Sequence, residues 1–247
     1  MRKQVTISVA MAVYNGERYL EEQLNSILNQ LEKEDEIVIS LDPSTDGTEA
    51  ILREYCKRDR RIFVCRGTGE GIIKNFENAV RHCRNVIIFL SDQDDIWMEN
   101  KVALMLQRFQ DPKVLLVVHD AKVVNEKLDV MKDSFFCIRK SRKGIFKNMI
   151  KNSYIGCCMA FRRCCLKSVL PFPGRIPMHD QWIGICCECM GKVDFIPEKL
   201  ILYRRHSGNA SEMRHASVWK MLIWRWMLLT ALAERMLTGG KIRKRIV

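Results

Sequence analysis

No stretch of this sequence stays apolar for the ~20 residues that a membrane-spanning helix needs. The nearest approach, Val218 to Leu237, is interrupted by Arg225 and by the pair Glu234-Arg235. Nor does a secretory leader with an apolar core precede the first strand pattern after Met1-Arg2-Lys3-Gln4, so the expected location is the cytosol. Low-complexity tracts and internal repeats are missing as well. Cysteine is plentiful at 11, yet Cys186-x-x-Cys189 has no second ligand pair at zinc-finger spacing. The adjacent pairs Cys157-Cys158, Cys164-Cys165 and Cys186-Cys187 read as buried reduced thiols of a reducing compartment. Acidic residues are absent from Ser134 to His179, a segment with ten Lys or Arg.

What is present is a chain of 247 residues, 47% hydrophobic and 28% charged, able to bury a core and to fold as one domain with two lobes. Its net charge of +12 is unevenly placed. From Glu198 to Val247 eleven Lys or Arg face three acids, whereas the half before Ser134 is mildly acidic. The basic half therefore meets something anionic: a membrane surface, a phosphorylated lipid or nucleic acid.

The first half alternates strand and helix patterns, which argues for a parallel sheet with helices on its faces. Strands are expected at Thr6–Val13, Glu36–Leu41, Ile62–Cys65, Val86–Leu90 and Val114–Val118. Helices fall between them at Tyr19–Gln30, Thr48–Cys56, Ile72–His82 and Asn100–Gln110, with apolar residues at helical spacing. Successive parallel strands end on one edge of such a sheet, so three polar loops converge there. They are Ala12-Val13-Tyr14-Asn15-Gly16-Glu17, then Asp42 to Thr48, then Ser91-Asp92-Gln93-Asp94-Asp95-Ile96-Trp97. The third loop offers carboxylates where an apolar run reaches the surface, which suits a hard metal ion. An acidic turn capping the helix that follows is the other reading open to these residues. Gly67 to Asn75 places Lys74 and backbone amides at a helix start, where a phosphate can bind.

Together these segments resemble family 2 glycosyltransferases of the GT-A fold, especially bacterial rhamnosyltransferase-like members. Val5 to Gln30 is similar to that family's opening strand, Tyr-Asn-Gly loop and first helix, and Ser40 to Thr48 to its pyrimidine-binding loop. Ser91 to Lys101 resembles its metal-binding DxD motif, and Gly156 to Arg162 its Gly-Cys-x-x-Ala-Phe strand. Met178-His179-Asp180-Gln181-Trp182 looks like its catalytic-base segment, and Tyr203-Arg204-Arg205-His206 like its closing element.

The resemblance implies a Rossmann-like, mostly parallel sheet over residues 1–210, with a nucleotide-sugar half at 1–120 and an acceptor half at 121–210. Residues 211–247 then form a basic amphipathic helix and tail. It implies Asp180 as general base, and Asp94, Asp92 and His206 toward Mg²⁺ or Mn²⁺. His206 has two other readings, a place near the diphosphate or a loop histidine without a ligand. Donor contacts are expected from Ala12, Tyr14, Asn15, Glu17, Asp42, Lys74, Asn75, Asp92 and Gln93. Trp97, His179, Trp182, Arg204 and Arg205 are expected near the acceptor or the diphosphate. One departure stands out: Leu41-Asp42-Pro43-Ser44 replaces the usual Asp-Asp-Gly-Ser, so one acid is missing and Pro43 removes a backbone donor.

The expected activity is metal-dependent, inverting transfer of a sugar, rhamnose by the resemblance, from a UDP- or dTDP-sugar to a surface glycan or lipid-linked acceptor. The expected place is peripheral, on the inner face of the plasma membrane. A degenerate, non-catalytic nucleotide-sugar module is one rival. A nucleic-acid-binding protein is the other, and it leaves the ordered carboxylate loops unexplained.

Overall fold

Seven buried residues in a row, Ile7–Val13, all apolar except Ser8, make the strand β1. Such a run is what a parallel strand covered on both faces requires. The computed structural model describes residues 5–206 and 218–237. Strands β2 (Glu36–Leu41), β3 (Ile62–Arg66) and β4 (Ile87–Ser91) join β1 in parallel, in the order β3-β2-β1-β4. Between them run α1 (Leu20–Leu28), α2 (Thr48–Arg58) and α3 (Ile72–His82). Helix α3 lays Phe76, Ala79 and Val80 against β1 and β2, as its spacing predicts. The expected boundaries in this half lie within about a turn of the observed ones.

The second half is less regular. A two-residue strand β5 (Ile96–Trp97) and helix α4 (Lys101–Arg108) lead to β6 (Val114–Val124), six residues longer at its end than the pattern predicted. After β7 (Val130–Lys132) come the short helices α5 (Phe135–Arg139) and α6 (Ile145–Ile150). The segment expected as a strand from Gly156 to Arg162 begins as a 3₁₀ turn, Gly156–Cys158, and only Met159–Arg162 is strand β8. Helix α7 (Leu166–Val169) precedes α8 (His179–Met190), β9 (Lys192–Arg204) and α9 (Val218–Leu237).

Strand β8 pairs antiparallel with both β4 and β6, β9 lies parallel to β6, and β5 pairs antiparallel with β9. The sheet has nine strands: parallel through β4, mixed beyond it. Its β6–β9 pairing is broken by register shifts around His119 to Lys122. Bulges of this kind bend a strand and raise its twist. The bend brings the end of β9 back over β5, and so over the acidic loop that precedes β5. Helix α9 packs on this body through Leu228, Ala231 and Leu232, which belong to the same core. No helix among the described residues is long and apolar enough to cross a membrane.

Candidate active site

The carboxyl ends of β1, β2 and β4 meet at one edge, and the loops that leave them are clamped to one another. Asn15 adopts φ 46°, a left-handed conformation that Asn tolerates better than most residues. Its side-chain oxygen accepts from Thr45 N at 2.8 Å, and its own amide donates to Ser44 Oγ at 3.0 Å. Glu17 accepts from Gly47 N at 2.9 Å, and Gly16 N donates to Thr48 Oγ1 at 2.7 Å. Gln93 closes the third side: its amide oxygen accepts from Tyr14 N and its amide nitrogen donates to Tyr14 O, both at 2.8 Å. The structure therefore uses Asn15, Glu17 and Gln93 to hold loops in register. The Tyr14 side chain stays exposed above them.

Asp42 and Asn75 lie side by side because Gly67 has no side chain. A Cβ there would sit 2.2 Å from Asp42 Oδ1 and 2.9 Å from Asn75 Oδ1. Asp42 Oδ1 accepts from Gly69 N at 2.9 Å. Asn75 donates to Val13 O at 3.2 Å, while its oxygen is buried with no hydrogen-bond partner among the described residues. Ala12, at the end of β1, is buried, and Lys74 is ion-paired with Glu77 at 2.8 Å. Beside Asp42 a cavity of about 590 Å³ opens, lined in part by Pro43, Ser44, Arg53 and Arg66.

The acidic loop is braced from beneath and from the side. Gln23 of α1 donates to Ser91 Oγ at 2.7 Å and to Asp92 O at 3.0 Å. The Arg204 amide donates to Asp95 Oδ1 at 2.9 Å, and its guanidinium donates to Asp94 O at 2.9 Å and to Glu22. Arg204 is buried and lies over the Tyr19 ring. His206 Nε2 meets Asp94 Oδ2 at 2.8 Å. Lys101, with no exposed surface, donates to Cys157 O at 2.7 Å and stacks over Trp97.

Crowding of negative charge shows in the protonation equilibria. Asp92 is pushed up to about 7, first by burial and then by the charges of Asp94 and Asp180. Asp95 is raised well above the ordinary carboxylate range by burial and then by the charges of Asp94 and Asp92. Burial lowers Lys101 to about 8. Each carboxylate is thus held where its charge is costly without a cation.

Two donor sets compete for such a cation. Among the described residues Asp92, Asp95 and Cys157 form the group of three whose ligand atoms lie within 4.8 Å of one another. Burial raises the Cys157 thiol well above its ordinary value, which keeps it protonated, and a neutral thiol suits Mg²⁺ or Mn²⁺ poorly. Asp92 with the Asp94–His206 pair offers oxygen and imidazole donors instead. That chemistry fits a hard or borderline ion, although Asp92 and the pair lie further apart than the tight triad.

Asp180 sits in the first turn of α8, close enough to raise Asp92. Its Oδ1 accepts from Gln181 N at 2.6 Å and from Asn152 Nδ2 at 3.2 Å. Burial nevertheless raises it to about 6. His179 is buried against Phe76 at 4.0 Å between ring centroids, both its nitrogens lack a hydrogen-bond partner among the described residues, and burial lowers it to about 3. It is a neutral spacer beside Asp180.

Trp97 and Trp182, expected near the acceptor, are core side chains instead. Trp182 is fully buried and donates to Val169 O at 2.9 Å, and Trp97 packs between Phe89 and Lys101. Both shape the site by packing. Arg204, likewise expected near a ligand, braces the acidic loop, and Arg205 donates to the Tyr203 hydroxyl at 3.1 Å. Sequence reasoning missed Lys101, Gln23, Glu22 and Tyr19. Gln23 and Lys101 carried a usable signal, a polar residue on the apolar stripe of an otherwise amphipathic helix.

The model of glycosyl transferase family 2 matches residues 8–170. An uncharacterized protein of Mycobacterium tuberculosis is 26% identical over 212 residues, 81% of this chain and 59% of its own length. TuaG of Bacillus subtilis, named provisionally as a teichuronic acid biosynthesis glycosyltransferase, is 33% identical over 104 residues, 41% of this chain and 40% of its own. The crystal structure of Staphylococcus aureus TarS residues 1–349 with UDP-GlcNAc superposes with a TM-score of 0.69 at 17% identity, covering 95% of this chain and 73% of that one. The chain thus spans about 59% of the length of the mycobacterial relative, and the TarS likeness establishes the GT-A fold.

Proposed function

The chain belongs to glycosyl transferase family 2, and from that premise we propose that it transfers a sugar from a UDP- or dTDP-sugar to a hydroxyl of a surface polysaccharide or lipid-linked glycan, with inversion and with Mg²⁺ or Mn²⁺. The observation that carries this reading is the meeting, at one sheet edge, of the Asp94–His206 pair and a buried, raised Asp180 within electrostatic reach of Asp92. The UDP-GlcNAc bound by TarS supports a nucleotide-sugar donor. TuaG's name supports an envelope polysaccharide as product. Rhamnose is the sugar the sequence resemblance implies.

In this reading Asp180 takes the proton from the acceptor hydroxyl as that oxygen attacks the anomeric carbon and the bond to the diphosphate breaks. A carboxylate at about 6 is ionised at neutral pH and still basic enough for the task. Hydrogen bonds from Gln181 and Asn152 to one oxygen orient it. Asp94, Asp92 and His206 would hold the ion, which when bound offsets charge on the leaving diphosphate. Asp42, Asn75 and the Tyr14 ring line the donor side, and Arg204 keeps the acidic loop in place. Residues 1–210 act as the transferase unit, with 211–247 as the C-terminal segment, of which 211–217 and 238–247 lie outside the described residues.

A second reading has one observation behind it: Asp42 already accepts from Gly69, in a loop where Leu41 stands in place of the acid that the resemblance leads one to expect and Pro43 in place of the glycine. That reading is a non-catalytic nucleotide-sugar module. A thermal-shift series with UDP, dTDP and GDP, with and without Mn²⁺, separates the two when paired with a transfer assay. A shift with one pyrimidine diphosphate that needs both Mn²⁺ and Asp94, lost in Asp94→Ala, together with turnover lost in Asp180→Asn, supports the enzyme. Binding without turnover supports the module, and no shift with a folded protein defeats both.

A further inference from the structure

Helix α9 turns apolar side chains outward as well as inward. Leu228, Ala231 and Leu232 pack on the body. On the solvent side Trp219 is 77% exposed, Ile223 54% and Trp226 69%, with Leu222 and Leu229 also exposed between them. Helix α6 adds Phe146 at 83% and Ile150 at 66%. The two helices touch, and Arg225 of α9 donates to Ile150 O at 2.9 Å. Their outward groups are therefore neighbours on one surface, and contiguous apolar patches of this kind mark interaction sites.

The charge that the α6 segment adds beside this patch is of one sign. Lys140, Arg142, Lys143, Lys147 and Lys151 are all exposed, within the segment that has no acidic residue from 134 to 179. The same segment reaches the candidate base: Asn152 donates to Asp180, and the charge of Arg139 is felt there.

We propose that α6, the basic segment 140–151 and the outer face of α9 form one docking surface for an anionic lipid bilayer, along which the protein lies with its Asp180 side toward the headgroups. Exposed aromatic side chains on a helix flanked by cations are the chemistry of an interfacial anchor. The helix is too interrupted to span, so it lies on the surface. A second copy is disfavoured as the occupant, because a self-complementary contact would bring like-charged segments together. An anionic surface attracts them. This deepens the acceptor reading of the preceding section, since an acceptor on this bilayer presents its hydroxyl on the Asp180 side, but its test reads binding alone and can fail independently.

The test is flotation of the full chain with phosphatidylcholine vesicles and with vesicles that also contain phosphatidylglycerol. The expected result is recovery with the anionic vesicles at least about tenfold above the neutral ones, falling as salt is raised. Trp226→Ser with Phe146→Ser, and separately Arg142→Ser with Lys143→Ser, should each lower that recovery about tenfold while the nucleotide-induced thermal shift stays unchanged. Equal recovery on both vesicle types, or full recovery of both variants, overturns the proposal. So does a concentration-dependent dimer that Trp226→Ser abolishes, which would assign the face to a second copy.

Discussion

Asp180 is a candidate base whose environment is at odds with its ordinary chemistry. Its pKa is about 6 where an unfolded chain holds the group near 3.8, so the folded state prefers the proton. Folding stability is then greatest below about 4, falls as pH rises between the two values, and has lost its full increment above about 6. The gap corresponds to at most about 3 kcal/mol. Asp180→Asn should therefore raise the melting temperature at pH near 7.5, with the gain vanishing near pH 4. It should also lower transfer by ~10²–10⁴-fold, and wild-type kcat/KM should rise with pH through about 6. Scanning fluorimetry across pH, beside a rate profile, checks all three. Lys101 is the complementary case. With its amine removed in Lys101→Met, Asp92 and Asp95 lose a neighbouring cation and the Cys157 carbonyl loses its donor. A loss of about 2–4 kcal/mol in urea unfolding is expected; no loss would mean that the amine contributes nothing net.

Between elements, the decisive contacts are few and short. Gly67 at the end of β3 lets the β2 loop and α3 come together. Gly67→Ala would force Asp42 and Asn75 apart, so calorimetry should find pyrimidine diphosphate binding at least about tenfold weaker, with the fold retained. A Kd unchanged by that substitution would remove Asp42 and Asn75 from the donor site. The first-half elements were legible because their periodicities are clean: alternate β and α signals, with α3 and β2 found at their observed boundaries. The 3₁₀ turn at Gly156 was not, because it is set by distant contact. A Cβ on Gly156 would come within 2.9 Å of His179 Nε2, so the chain there follows the packing of α8.

At the scale of the whole molecule, the proposed metal site would link the carboxylates to stability. A cation held at Asp92, as proposed, would have to displace the proton that burial favours there, so its affinity would be tied to pH. The Mn²⁺-induced rise in melting temperature should accordingly grow between pH 6 and 8, and be abolished in Asp94→Ala and by EDTA. A rise that is flat over this range would place the ion elsewhere. The bend in β6 and β9 matters here too, since it carries Arg204 and His206 across more than a hundred residues to Asp94.

The amino-acid sequence alone determined the alternating architecture, the edge at which its polar loops gather, and the segregation of charge between halves. These follow from local periodicity, short-range turn chemistry and composition, all of which are readable along the chain. Tertiary structure alone decided which polar residues hold other residues in place. Asn15, Glu17, Gln93 and Arg204 became clamps, Trp97 and Trp182 became core, and Lys101 became a buried counter-charge. The physical reason is that burial and hydrogen-bond partnership belong to contacts between distant segments, and a residue type carries no record of which partner it will meet.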